Sequence, residues 1–153
     1  MRISLPGAVA LSALVVSGCN PFEGSREVEV EPEADAGGVE IVASSRPRGD
    51  SLHFATRVTN TLDTTAELIL HGGCPVTVLA YRDGRLLWDE SDGLVCEDVE
   101  LPVPLAPGEV GTLSHSVHQS SLESLGDPAD YQLGVRVHMA GGSGYVVEAP
   151  RRE

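Results

Sequence analysis

The sequence predicts an all-β domain built as an antiparallel sandwich of about eight short strands. Three observations point there. Beyond residue 38, apolar and polar residues alternate with a period of two, which sends successive side chains to opposite faces of a strand. Gly, Pro and Asp-Gly turn signals recur about every eight to twelve residues. Helical patterning is confined to "SSLESLG" at 120–126, which reads as a short helical turn. The 153-residue chain leaves a domain over 39–149, with a tail at 150–153, large enough to bury a core of its own.

The first segment stands outside that domain. Arg2 is followed by the uncharged apolar run "ISLPGAVALSALVV" and then by "SGCNP", the pattern of a secretory signal peptide. Val16-Ser17-Gly18-Cys19 resembles the lipobox of bacterial lipoproteins, which implies cleavage after residue 18 and lipidation of Cys19, with palmitate-type acyl chains as the membrane anchor. The run is shorter than the roughly 20 residues needed to span a bilayer, whereas several acyl chains at about 0.8 kcal/mol per buried methylene hold firmly. The expected location is the cell envelope, facing the extracytoplasmic side. Asn20 in place of an aspartate after the cysteine points, by analogy with Gram-negative sorting, to the outer membrane.

Residues 19–38 read as an acidic flexible linker. "NPFEGSREVEVEPEADAGG" holds six acidic residues against Arg26 alone, and as a coil its length reaches on the order of 25 Å. The alternation in "EVEVE" offers only two valines to a face before Pro32 stops it. Without residues 1–18 the net charge is −14, of which −9 falls on residues 39–153. Nonspecific nucleic-acid binding is excluded, because phosphate contacts need clustered cations. Anionic headgroups would repel such a surface, so membrane attachment falls to the lipid.

Within the domain the strands follow in order. "VEIVAS" at 39–44 comes first, and Pro47 to Asp50 turns the chain into "LHFATRV", with Leu52, Phe54 and Val58 on one face. "AELIL" places Ala66, Leu68 and Leu70 together. Asp83-Gly84 is a type I′ hairpin signal between Val76–Arg82 and Arg85–Trp88. Pro107-Gly108 marks a turn between two further strands. "YQLGVRVHM" aligns Tyr131, Leu133, Val135, Val137 and Met139, and a last strand lies near Tyr145–Glu148. The count and spacing suit an immunoglobulin-like sandwich.

Once Cys19 carries lipid, Cys74 and Cys96 remain as an even pair in an oxidising compartment, and a disulfide is expected. It would close a loop of about 23 residues around the hairpin, contributing roughly 3 kcal/mol through the unfolded chain.

The order "FATRVTNTLDTTAELIL", "YRDGRLLWDES", "LPVPLAPGE", "DYQLGV" resembles the BsuPI-type proteinase-inhibitor domain over about residues 50–140. The matching positions are Val58 and Asn60, Gly84 and Trp88, Pro107, Gly108 and Glu109, and Tyr131 with Leu133. Before the hairpin the family is rich in glutamine and aromatics, where this chain has "HGGCPVTV". The resemblance implies a sandwich that binds a protein partner, a protease in particular, and inhibits it. A non-inhibitory structural or accessory envelope domain is the competing expectation. "DPADYQL" also resembles the tyrosine corner of immunoglobulin domains, which would tie the Tyr131 hydroxyl back across the strand corner.

No catalytic residue, metal ligand, cofactor or small-molecule substrate is assigned. The histidines at 53, 71, 115, 118 and 138 are scattered, and on a strand His115 and His118 face opposite ways. "DESDG" at 89–93 lacks the acids that a calcium loop needs at its ends, and reads as a polar rim. "RGDSL" at 48–52 contains both an RGD tripeptide and a GDSL esterase block. The esterase block requires an apolar strand leading directly into the serine, a helix after it and an Asp-x-x-His further along the chain; here Arg46-Pro47-Arg48 leads in, a strand follows, and the Asp-x-x-His formed by Asp50 and His53 overlaps the block itself, so the esterase reading fails on context. Trp88 is a candidate interaction anchor, set against the commoner role of a lone tryptophan as core.

Overall fold

The computed structural model describes residues 38–140 and 144–152. The signal segment, Cys19 and the acidic linker lie outside the described residues. Among these residues there are nine strands: β1 Val39–Arg48, β2 Ser51–Asn60, β3 Ala66–His71, β4 Val76–Arg82, β5 Arg85–Asp89, β6 Glu100–Leu105, β7 Val110–His118, β8 Gln132–His138 and β9 Gly144–Glu148. Short 3-10 turns cover Glu90–Gly93, Gln119–Leu125 and Pro128–Asp130. No helix among the described residues is long and apolar enough to cross a membrane.

The strands form an all-β sandwich. One layer has the order β1-β2-β7 and the other β5-β4-β8-β9, with β3 and β6 as a separate pair. Every named pairing is antiparallel. Period-two patterning explains the layers: Leu52, Phe54 and Val58 of β2 face Leu133, Val135 and Val137 of β8 across one core, all nearly inaccessible to water. Burying each such side chain contributes about 1.5–3 kcal/mol.

β4 departs from alternation, because all six residues from Val76 to Tyr81 are buried. Its outward-facing Leu79 lies over Gly134 of β8, where an added Cβ would come within 2.9 Å of the leucine. The hairpin after β4 has the expected type I′ signature, with φ of 50° at Asp83 and 74° at Gly84. β1 runs four residues beyond the expected Ser44, to Arg48, opposite Ser51. An outer strand tolerates Pro47, whose missing N–H would otherwise break a ladder.

The β3–β6 pair closes the end of the sandwich at which β1 begins. Asn60 ties it to the first layer, its Nδ2 donating to the carbonyls of Thr64, Leu105 and Ala106 while its Oδ1 accepts from the Leu62 N–H. A bridge from Leu70 to Met139 and an Ala140 N–H to Ile69 C=O bond tie it to the second. Pro102 and Pro104 stand opposite Ile69 and Glu67. They donate no hydrogen bond, so the outer edge of β6 offers no N–H at either position.

At the opposite end the closing segment joins the layers. Ala149 donates to the Leu133 carbonyl beside β9, then the Ser45 N–H donates to the Pro150 carbonyl and the Arg152 N–H to the Ser45 carbonyl, alongside β1. That half of the β1 edge is therefore occupied.

Candidate functional site

The cysteine pair is bonded: Sγ of Cys74 and Cys96 are 1.97 Å apart and their Cα atoms 5.5 Å apart. The bridge clamps residues 94–99, which have no regular structure, to the start of β4. Gly72 and Gly73 form the bed beneath this loop. The Gly72 N–H donates to the Val99 carbonyl, and a Cβ on Gly73 would fall 2.4 Å from the backbone N and O of Glu97. On the other side, the Leu94 N–H donates to the Ser91 carbonyl, and Leu94 is extended at φ −103°, ψ 141°.

Between these two anchors the chain displays apolar side chains. Val95 is 100 % exposed, Leu94 43 % and Val99 53 %. Leu101 at the start of β6 is 42 % exposed beside them in the chain. Acidic Asp92, Glu97, Asp98 and Glu100 surround the apolar residues in the sequence and are themselves exposed. Nothing in the periodicity marks Leu94 and Val95 as display residues, since an apolar pair beside a cysteine reads equally well as core.

Behind the loop lies a polar cluster. The Asp89 carboxylate, whose side chain is 1 % exposed, sits 2.6 Å from Arg136 Nη1. It also accepts from the Ser91 N–H and hydroxyl. Burial alone would raise the Asp89 pKa, but the Ser91 hydroxyl and N–H and then the Arg136 guanidinium outweigh it and hold the carboxyl below its ordinary value. The rim expected for "DESDG" is thus a buried ion pair at its first residue.

Glu90 reaches into the open side of the sandwich. β4 pairs with β5 only as far as Leu79 opposite Asp89, and the Glu90 carboxylate takes up the next donor, the Val78 N–H. The same carboxylate receives His115 Nε2 of β7 at 2.8 and 2.9 Å, which links the two layers. His138 shares a 2.8 Å hydrogen bond with the Thr77 hydroxyl. Burial, with help from Arg136 and His71 against Asp89, pushes its pKa down.

The remaining sequence candidates are spread apart. Trp88 is half-buried on β5, opposite Ala80, and packs against the core. The Tyr131 hydroxyl accepts from Arg151 Nη2 at 3.1 Å rather than from its own strand corner, and the guanidinium lies 5.5 Å from the ring centre. The two line a shallow cleft of about 330 Å³ with Pro47, Leu52, Leu122 and Pro128. Gly49 and Asp50 of the RGD and GDSL matches form the β1–β2 turn, Gly49 at φ 62°. His53 Nδ1 lies 2.8 Å from Ser116 Oγ. That pair sits cross-strand on an exposed sheet face, and no carboxylate among the described residues orients the imidazole, so the triad geometry is incomplete. Among the described residues no three His, Cys, Asp or Glu side chains group as metal ligands.

Fold and site together define a class: a disulfide-bonded all-β sandwich whose least ordinary surface is an apolar loop clamped at one end. No family model matches the sequence, and no curated protein matches it. Among solved structures the chain is similar to part of a β-glucosidase from Listeria innocua, at 16 % identity over 73 % of this chain and 16 % of that one, with a TM-score of 0.36. A β-glucosidase from Erythrobacter marinus aligns at 12 % identity over 74 % and 16 %, with a TM-score of 0.32. The chain thus spans a small part of those enzymes, and the likeness is too low to carry an argument.

Proposed function

We propose that this is an extracytoplasmic lipoprotein, held in the envelope membrane by a lipidated Cys19, whose sandwich binds another protein through the disulfide-clamped end. The observation that carries the binding is the display of Leu94 and Val95 on a covalently fixed loop. Exposed apolar side chains cost solvation free energy that a partner's pocket recovers, and a fixed loop loses little conformational entropy on docking. Strand addition is less favoured at two edges, since prolines block β6 and the closing segment covers half of β1. Proteinase inhibition is the activity that the BsuPI-type resemblance supports. The competing role is an accessory envelope domain without inhibitory action.

Capture from a membrane extract tests this. Full-length tagged protein in detergent should retain a specific partner, Ser51→Ala should retain it equally, and Leu94→Asp with Val95→Asp should lose it. Equal capture by the loop variant would overturn the assignment of the surface. A retained peptidase left fully active at saturation would favour the accessory role.

A further inference from the structure

We infer that the free edge of β7 pairs with the same edge of a second copy of this chain, antiparallel and in register about Ser114, so that the first layers of two sandwiches join into one continuous sheet. The disulfide-clamped loop plays no part in it.

The two ends of the β2–β7 register fix which way the backbone of β7 faces. The Gln119 N–H donates to the Asp50 carbonyl and the Asn60 N–H to the Glu109 carbonyl, so the odd positions of β7 exchange bonds with β2. The even positions, Val110, Thr112, Ser114, Ser116 and His118, turn N–H and C=O to the other side. Among the described residues no backbone bond from another segment meets them there. The inward-facing row agrees: Gly111, Leu113 and His115 are only half-buried, whereas Val117, next to the 3-10 turn, is 4 % exposed.

An open edge of this length is a template for another strand. Other edges are blunted: β6 by Pro102 and Pro104, half of β1 by the closing segment, and β5 by its five-residue length and a bulge opposite Ala80 and Tyr81. β7 runs for nine residues, "VGTLSHSVH", without a proline, an acid, an arginine or a lysine.

This edge is its own complement. Ser114 is the midpoint of β7, and a two-fold axis there brings all nine residues into pairing. The even positions meet as hydrogen-bonded pairs, Ser114 with itself, Thr112 with Ser116 and Val110 with His118. The odd ones meet between them, Leu113 with His115 and Gly111 with Val117. Hydroxyls thus lie beside hydroxyls, a cross-strand combination that stabilises a ladder, and no histidine faces its own image. The domain carries −9 overall, yet none of that formal charge is on β7. Two copies therefore meet along an uncharged strip, and the repulsion left between them is long-range and screened by salt. A strand from another protein would find the same donors, but nothing in the row of side chains selects it.

Sedimentation of the full chain in density-matched detergent tests this. The native chain should rise to twice the protomer's protein mass with concentration, and should do so at lower concentration in high salt. Ser114→Lys and Ser114→Glu should each stay protomers, because like charges then face each other across the axis, and an equimolar mixture of the two should return to the dimer. Melting temperatures equal to that of the native chain at dilution, where all are protomers, exclude loss of fold as the cause. In a Cys19→Ser background, Ser114→Cys should cross-link to itself under oxidation, and Thr112→Cys to Ser116→Cys but not to itself. A native chain that remains a protomer at every concentration would overturn the inference, as would a dimer that both charged variants keep or that their mixture fails to restore. Leu94→Asp with Val95→Asp should dimerise as the native chain does. A dimer lost in that variant would place the contact at the loop and overturn this inference, whereas failure of partner capture bears on the loop reading alone.

Discussion

At the scale of single residues, Asp89 matters most among the groups behind the loop. Its carboxylate is out of water and satisfied by Arg136 and Ser91 together. Removing its charge leaves Arg136 half-paired, and a broken buried pair costs about 3 kcal/mol. Asp89→Asn should therefore lower the denaturation midpoint by an amount of that order, and an unchanged midpoint in urea would show the pair to be idle. The pH dependence has a definite sign. The folded-state pKa of Asp89 lies below the ordinary 3.8, so its contribution is full above that value and is lost as pH falls through the lower, folded one. The folded-state pKa of His138 lies below the ordinary 6.5. The unfolded chain takes up that proton first, so stability falls as pH drops below 6.5. Both groups weaken the fold toward acid, His138 from the higher pH. Urea midpoints measured from pH 7.5 to pH 3 should decline in that order, and Asp89→Asn should keep only the His138 part.

At the scale of elements, the hairpins, the disulfide and the strand faces were legible because each obeys a local rule. Asp83-Gly84 permits positive φ at two successive positions, and period-two runs such as Leu133, Val135 and Val137 fix which face is buried. What stayed hidden depends on contacts distant in sequence. β3 and β6 pair with each other instead of extending the main sheets, and no local pattern encodes that choice. Asp89 reads as a loop acid until β8 places Arg136 beside it. Leu94 and Val95 read as core until the bridge holds them outside it. The bridge also gives a prediction at this scale. Its cysteines lie 22 apart in sequence, so removing it should cost about 3 kcal/mol, on the order of 10 °C in melting temperature for a domain of this size. Cys74→Ser with Cys96→Ser should show that loss by calorimetry. The same variant should lose the loop's grip on a partner even at a temperature where it is fully folded, because the loop then pays its ordering entropy on binding. Full affinity in the folded double variant would mean that Gly72 and Gly73 suffice to hold the loop.

At the scale of the whole molecule, the arginines gather at one end, where they are interleaved with Asp50, Asp83, Glu123, Asp127 and Asp130. Six of the eight arginines after residue 38, at 46, 48, 82, 85, 151 and 152, lie in the β1–β2 and β4–β5 hairpins and the closing segment. The end capped by β3 and β6 carries Asp63, Glu67, Glu97, Asp98, Glu100 and Glu109 instead. β1 begins at that acidic end, where the Thr61 N–H donates to the Gly38 carbonyl, so the acidic linker enters there too. An anionic membrane repels this pole and the linker alike. On the proposed lipoprotein reading, attachment depends on acyl chains at Cys19, with no electrostatic component from this pole to replace them. Cys19→Ser should accordingly release the protein from membranes completely, and equally at low and high salt, because the described residues form no cation cluster at that end whose attraction low salt would strengthen. Fractionation of wild type and variant at the two ionic strengths checks this. Retention of the variant at low salt alone would reveal a basic membrane contact, which would have to come from the arginine end, and retention at both would remove lipidation of Cys19 as the basis of the anchor.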